Sequence, residues 1–184
     1  MRKALLLTFA LMLVAGMAFG EPGRIGIFSD PTGGNNCNLT DSPAGTKNFY
    51  VVHIDATSVS GSQFLAKVPD CFTGTFSKDT YPAGFLNIGT SQIGLSVVYD
   101  PYCSNSPVLL VTIELNVLGT TPACCVWRVT ADPAVSSGEI EVADCEYNVL
   151  FATGYHALFN TDTTCNCSIP TEDTTWGQVK ALYE

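Results

Sequence analysis

The stretch Val108-Leu109-Leu110-Val111-Thr112-Ile113-Glu114-Leu115-Asn116-Val117 reads as one long β-strand. Leu109, Val111, Ile113, Leu115 and Val117 fall on one side of it, and Thr112, Glu114 and Asn116 on the other. Successive strand side chains point to opposite faces, so one side belongs to a core and much of the other meets water. Pro107 and Gly119 bracket the run. Shorter runs of the same character lie at Arg24–Phe28, Phe49–Ile54, Gln63–Val68, Ile93–Tyr99, Cys124–Thr130, Glu139–Ala143 and Asn148–Ala152. Between them come turn-rich pieces such as Asp30-Pro31-Thr32-Gly33-Gly34-Asn35-Asn36, Tyr81-Pro82-Ala83-Gly84 and Ser136-Ser137-Gly138. Some eight or nine short strands with turn signals between them predict an all-β sandwich of the immunoglobulin-like kind.

A sustained helical period occurs only at the end of the chain. Thr175-Trp176-Gly177-Gln178 matches a capping box, and Trp176, Val179, Leu182 and Tyr183 recur at helical spacing. This predicts a short helix of about two turns in a tail over 170–184, docked by its apolar side.

Arg2 and Lys3 precede an apolar run from Ala4 to Ala18, and Ala18-Phe19-Gly20 places small residues at −3 and −1 of a cleavage site. That is the pattern of a signal peptide over 1–20. The run is shorter than the ~20 residues a membrane span requires, and no cysteine follows the site to accept a lipid. The remainder, 21–184, has the length of one domain. It keeps six basic residues against seventeen acidic ones, a formal charge of −11. Such a surface cannot release phosphate counterions, which excludes non-specific nucleic-acid binding.

Cys37, Cys71, Cys103, Cys124, Cys125, Cys145, Cys165 and Cys167 all lie in the exported part. Their even number and location predict disulfides, with connectivity left open. Adjacent strand residues face opposite ways, so Cys124 and Cys125 should bond to different partners. A thiolate metal site has little support: neither Cys124-Cys125 nor Cys165-Asn166-Cys167 has the two-residue spacing of zinc knuckles, and His53 and His156 are far away in sequence.

No catalytic residue can be assigned from the sequence. His53 and Asp55 form the one sequence-local pairing of histidine and carboxylate, but no Gly-x-Ser-x-Gly elbow accompanies it. Glu139 and Glu141 share a strand face and read as its solvated side. Arg128 is expected to pair with Glu114 or Glu141 across a sheet. Asp30, Asn35, Asn36 and Asp41 crowd one N-terminal loop and offer oxygen ligands, which makes calcium the candidate cofactor, although turns use the same residue types for local hydrogen bonds. Among the aromatics Tyr81, Phe85, Tyr99, Tyr102, Trp127, Tyr155 and Phe159, the tyrosines 81, 99, 102 and 155 are the candidates for stacking on a sugar, against core packing as the alternative. Asn38-Leu39-Thr40 and Asn166-Cys167-Ser168 match the glycosylation sequon, which has no force if the source is bacterial.

The order Tyr50-Val51-Val52-His53-Ile54, Val59-Ser60-Gly61-Ser62-Gln63-Phe64, Ile93-Gly94-Leu95-Ser96-Val97-Val98-Tyr99 and then Pro107 to Gly119 resembles cohesins and carbohydrate-binding modules of the β-sandwich type. The likeness covers about half the chain, Tyr50 to Cys145, and rests on residue class and spacing. It implies a sandwich that presents a sheet face to a helical partner, as cohesins do; the chain itself carries no dockerin-like calcium repeat. The sequence is also similar to secreted bacterial proteins that share Gly26-Ile27-Phe28-Ser29-Asp30, a Cys-Cys pair before a Val-rich strand, and the ending Thr175-Trp176-Gly177-Gln178-Val179-Lys180-Ala181-Leu182-Tyr183. That resemblance implies export and a bacterial source, and brings no activity.

Together these features lead to a secreted, non-enzymatic binding or structural module, adhesive or carbohydrate-binding, whose partner is a glycan or another extracellular protein. The alternative from the sequence is a small secreted hydrolase built on His53 or a carboxylate pair.

Overall fold

A computed structural model describes residues 20–34 and 37–167. Twelve strands follow in chain order: β1 (Arg24–Phe28), β2 (Asn38–Leu39), β3 (Gly45–Ile54), β4 (Val59–Phe64), β5 (Gly74–Thr80), β6 (Leu86–Thr90), β7 (Gly94–Val98), β8 (Val108–Val117), β9 (Cys125–Arg128), β10 (Ile140–Asp144), β11 (Val149–Gly154) and β12 (His156–Phe159). The described residues contain no α-helix. The predicted helical tail over 170–184 and nearly all of the signal segment lie outside the described residues.

Nine strands hydrogen-bond in the order β5-β8-β3-β1-β11-β10-β4-β7-β6, and three in the order β2-β12-β9. The nine-stranded assembly rolls onto itself. Strand β11 belongs to both halves: Val149–Ala152 pair antiparallel with β10, whereas Thr153 and Gly154 pair parallel with Arg24 and Ile25 of β1. One continuous core then fills the space between the halves. Ile25, Ile27, Phe49, Val51, Ile113 and Leu115 come from one half, and Val59, Phe64, Leu95, Val97, Ile140 and Val142 from the other.

The long strand that decides the fold class is β8, and its burial alternates from Val111 to Val117 as expected. Toward its start the pattern breaks. Val51 pairs with Val111 and Val52 with Leu109, which leaves Leu110 as the extra residue of a bulge. Leu110 therefore turns into the core, and Leu109 joins a smaller cluster of Phe28, Tyr50, Val52 and Ile54 on the outer side of β1 and β3.

The three-stranded sheet carries Trp127 and Phe159, both fully buried and stacked with centroids 5.7 Å apart. Phe49 of β3 meets both rings edge-on, at 5.7 Å and 5.3 Å. The small sheet thus supplies the aromatic plug of the core. Disulfides bind it there: Cys37–Cys167, Cys71–Cys125 and Cys124–Cys165, while Cys103–Cys145 ties the segment after β7 to the end of β10. Cys124 and Cys125 do take different partners. The geometry differs from simple alternation, since Cys124 stands before the strand at φ 63° and only Cys125 is in β9.

The strand count exceeds the eight or nine expected. Strands β5 and β6, in the stretches Gly74–Thr80 and Leu86–Thr90, are edge strands with exposed or half-buried residues, so neither shows a buried face to betray it. The two-residue β2 and the four-residue β12 are too short for periodicity to report.

Candidate functional site

Register across the second half of the rolled sheet determines which residues share its outer side. Leu86 lies opposite Val98, Val98 opposite Gly61, Gly61 opposite Ala143, and Ala143 opposite Val149. The next outward row is Ile88, Ser96, Gln63, Glu141 and Phe151. Inward neighbours in these strands, among them Leu95, Val97, Phe64 and Val142, are buried in the core. Leu86, Ile88, Val98, Val149 and Phe151 are instead between 48% and 80% exposed. The outward side of β6-β7-β4-β10-β11 is therefore an open face, apolar along one complete row and at both ends of the next.

The two ends of this face are fixed by polar contacts. At one end, Gln63 Nε2 donates to Asp132 at 3.0 Å and Ser137 Oγ donates to Glu141 at 3.0 Å. At the other, the β10–β11 turn is held by Asp144, whose carboxylate accepts from the backbone N–H of Glu146 and Asn148 and from Asn148 Nδ2. Those bonds, from Asn148 first, hold the Asp144 carboxyl below the ordinary carboxylate range. Tyr147 in that turn is exposed, and its ring lies 5.7 Å from that of Tyr102, whose hydroxyl donates to the Cys145 carbonyl. Sequence reasoning missed Tyr147, Val149 and Phe151 as site residues. The alternation of Val149 and Phe151 marks a strand, yet does not say which of its sides is covered.

The pair His53 and Asp55 is separated by the fold. Asp55 follows β3 and binds Arg24, whose Nε donates at 2.8 Å. His53 is fully buried between the layers, with Nδ1 2.9 Å from the Tyr99 hydroxyl and Nε2 2.6 Å from the Pro22 carbonyl. A carbonyl can only accept, so Nε2 carries the proton and Nδ1 accepts from Tyr99. Burial lowers the His53 pKa from 6.5, more than the Pro22 carbonyl and the Asp55 charge raise it. The ring is thus a neutral inter-sheet tie, with no lone pair left for a reaction. Its unfolded form binds a proton first on acidification, so stability is complete above pH 6.5 and declines as pH falls below it. The unfolding free energy from urea denaturation should therefore drop between pH 7 and pH 5, by up to ~1.4 kcal/mol per pH unit. The slope should flatten in His53→Gln.

Glu139 precedes β10 and is exposed, whereas Glu141 bonds Ser137. Arg128 does not pair as expected. It lies exposed opposite His156, while Glu114 faces Lys78 at 3.6 Å. Asp30 accepts from the backbone N–H and hydroxyl of Thr32 and from Gly34 N–H, and Asp41 is buried, accepting from Thr121 N–H at 2.6 Å and Asn160 Nδ2 at 2.9 Å. Each carboxylate thus serves a separate local fold; Asn35 and Asn36 lie outside the described residues. The grouping of Cys124, Asp162 and Cys165 offers no thiolate, because the two sulfurs are bonded to each other.

Among the candidate tyrosines, Tyr99 is buried and stacked on Phe85, so it presents no ring to a sugar. Tyr81 is packed against the core, with its hydroxyl pKa pushed up to about 12 by burial and by Asp79. Tyr155 stacks on His156 beneath the Arg24 guanidinium. Only Tyr102 of the four adjoins the open face.

No protein-family model and no curated protein matches the chain. Solved structures do. The sixth cohesin of Acetivibrio cellulolyticus scaffoldin B, solved in complex with a dockerin, superposes with a TM-score of 0.51 at 13% identity, over 77% of this chain and 100% of that one. The fold is cohesin-like. A non-cellulosomal cohesin from Archaeoglobus fulgidus gives 0.49 at 13% identity over 77% and 94%, and a cohesin module of a Clostridium perfringens family 33 glycoside hydrolase 0.49 at 9% over 76% and 98%.

Proposed function

We propose that this cohesin-like domain is a non-enzymatic, extracellular protein-binding module whose partner docks on the outer side of β6-β7-β4-β10-β11. One contrast carries the reading. The outer side of β1 and β3 also bears large apolar residues, Phe28, Val52 and Ile54, but the chain covers them itself: a Cβ on Gly33 would lie 2.7 Å from Ile54 and 3.0 Å from Val52. Among the described residues no such cover lies over Leu86, Ile88, Val98, Val149 and Phe151. An exposed apolar patch held on a rigid sheet lowers solubility and is the usual mark of an interaction surface. The dockerin complex of the Acetivibrio cohesin supports a protein partner. Export through the segment 1–20 with cleavage after Gly20, and the four disulfides, support an extracellular site of action.

A carbohydrate partner is the second reading, favoured by the exposed Tyr102–Tyr147 pair at the end of the face. One experiment separates them. The variant Ile88→Asp/Phe151→Asp should keep the unfolding free energy of the parent within ~0.5 kcal/mol by urea denaturation, the range for exposed substitutions. Immobilised beside the parent, it should lose a discrete protein that the parent retains from the extracellular medium of producing cells. Binding of neutral oligosaccharides that survives this variant and disappears in Tyr147→Ala would favour the glycan instead.

A further inference from the structure

We infer that Tyr102 and Tyr147 form a site of oxidative modification, a pair that a peroxidase with hydrogen peroxide joins through the two rings as dityrosine. The fold holds these rings together from both sides. Tyr102 directly precedes Cys103, Tyr147 lies two residues after Cys145, and the Cys103–Cys145 bridge fastens the two segments. The Tyr102 hydroxyl donates to the Cys145 carbonyl at 2.9 Å, which sets that ring against the neighbouring segment. Tyr147 stands in the β10–β11 turn at φ 66°, a left-handed conformation that a bulky side chain rarely adopts. The Asp144 carboxylate fixes this turn by accepting from the N–H groups of Glu146 and Asn148. The ring centroids lie 5.7 Å apart with the planes tilted by 35°, and both rings meet solvent, Tyr102 at 43% and Tyr147 at 78% exposure.

The rest of the chain directs oxidation to this pair. Free thiols and thioethers are the side chains most readily oxidised. All eight cysteines are in disulfides, and the three methionines, Met1, Met12 and Met17, belong to the segment that the proposed cleavage after Gly20 removes. Trp127 is fully buried. Among the described tyrosines only Tyr102 and Tyr147 are exposed, and no other two meet ring to ring: Tyr99 stacks on Phe85, Tyr155 on His156, Tyr81 packs on the core and Tyr50 on the cluster of Phe28 and Val52. The peroxidase, itself oxidised by hydrogen peroxide, takes one electron from each phenol as its proton leaves to water. The two phenoxyl radicals combine by a carbon–carbon bond between ring positions ortho to the hydroxyls. Each of those carbons then releases its hydrogen as a proton, and each oxygen is reprotonated. The pair loses two electrons and two protons in all, and the peroxide becomes two molecules of water. The product is a bridge that thiol reductants leave closed, beside a disulfide that they can open.

Oxidation of the mature chain by a haem peroxidase with stoichiometric hydrogen peroxide tests this. The monomer should gain dityrosine fluorescence and lose the mass of two hydrogen atoms. After reduction and digestion, the peptides carrying Tyr102 and Tyr147 should be found joined. Tyr147→Phe keeps the ring and removes the phenol at an exposed position, so it should fold like the parent and lose both the monomer fluorescence and the joined peptide. Tyr155→Phe should keep both. A monomer of unchanged mass, linkage chiefly between separate chains, joined peptides built on other tyrosines, oxygen added at Trp176 in place of a link, or an undiminished yield in Tyr147→Phe would overturn the inference.

Discussion

Trp127→Ala should lower the stability of the folded domain by about 3–5 kcal/mol, the range for removing a large aromatic from a core. Its indole is fully buried, stacked on Phe159 and met edge-on by Phe49, and its N–H donates to the Ala66 carbonyl at 3.1 Å. Truncation opens a cavity where the small sheet joins the sandwich and leaves the Ala66 carbonyl unsatisfied. Since domains of this size are stable by only ~5–15 kcal/mol, the loss is a large share of the total. Trp127→Phe keeps most of the ring and removes the hydrogen bond, so its cost should be smaller. Urea denaturation of the three proteins orders them; a cost below ~2 kcal/mol for Trp127→Ala would mean that the small sheet closes over the core without being part of it.

Replacing Cys37 and Cys167 together by alanine should cost a similar amount. This bridge spans 130 residues, and the chain-entropy account gives about 5 kcal/mol for such a loop, with measured losses of native bridges at ~2–5 kcal/mol. Cys103–Cys145 spans 42 residues, so removing it should cost about 1 kcal/mol less on the same account. Both cysteines of the longer bridge are buried, and a hydrogen bond joins the same segments beside it, Asn38 Oδ1 accepting from the Cys167 N–H at 2.9 Å. The variant should therefore fold to the same structure, with an earlier denaturation midpoint under non-reducing conditions. Midpoints ordered the other way would show that packing, and not loop closure, ties the small sheet in place.

How far the sequence foretells this molecule depends on what each residue's signal is made of. The alternation in β8 announces a half-buried strand because Ile113, Leu115 and Val117 report burial directly. The bulge at Leu110 is silent, since in Val108-Leu109-Leu110-Val111 every residue is apolar and no period is broken on paper. Edge strands are silent for the opposite reason: Leu86-Asn87-Ile88-Gly89 is exposed and Thr90 only half-buried, so pairing with β7 is the property that makes it a strand. The disulfide bonding of the cysteines is legible from their number, their pairing only from the fold. The open face is the least legible feature. Phe151 and Ala152 differ in fate because Ala152 faces the core, and nothing local in the sequence says that no other layer arrives to cover Phe151. His53 shows the reverse case, a polar residue that on paper pairs with Asp55 while in the fold its two nitrogens are committed to Tyr99 and Pro22.

The claim that the outer side of β6-β7-β4-β10-β11 is kept apolar for a protein partner is tested most directly by site-specific photo-crosslinking. A benzophenone side chain is placed at Val98 on this face or at Thr75, exposed on β5 of the opposite half, and irradiated in the medium of producing cells. A discrete protein adduct should form from position 98, not from position 75, and should vanish when Ile88→Asp/Phe151→Asp is added. Equal adducts from both positions, an adduct from position 75 alone, or one from position 98 that survives the double substitution would contradict it.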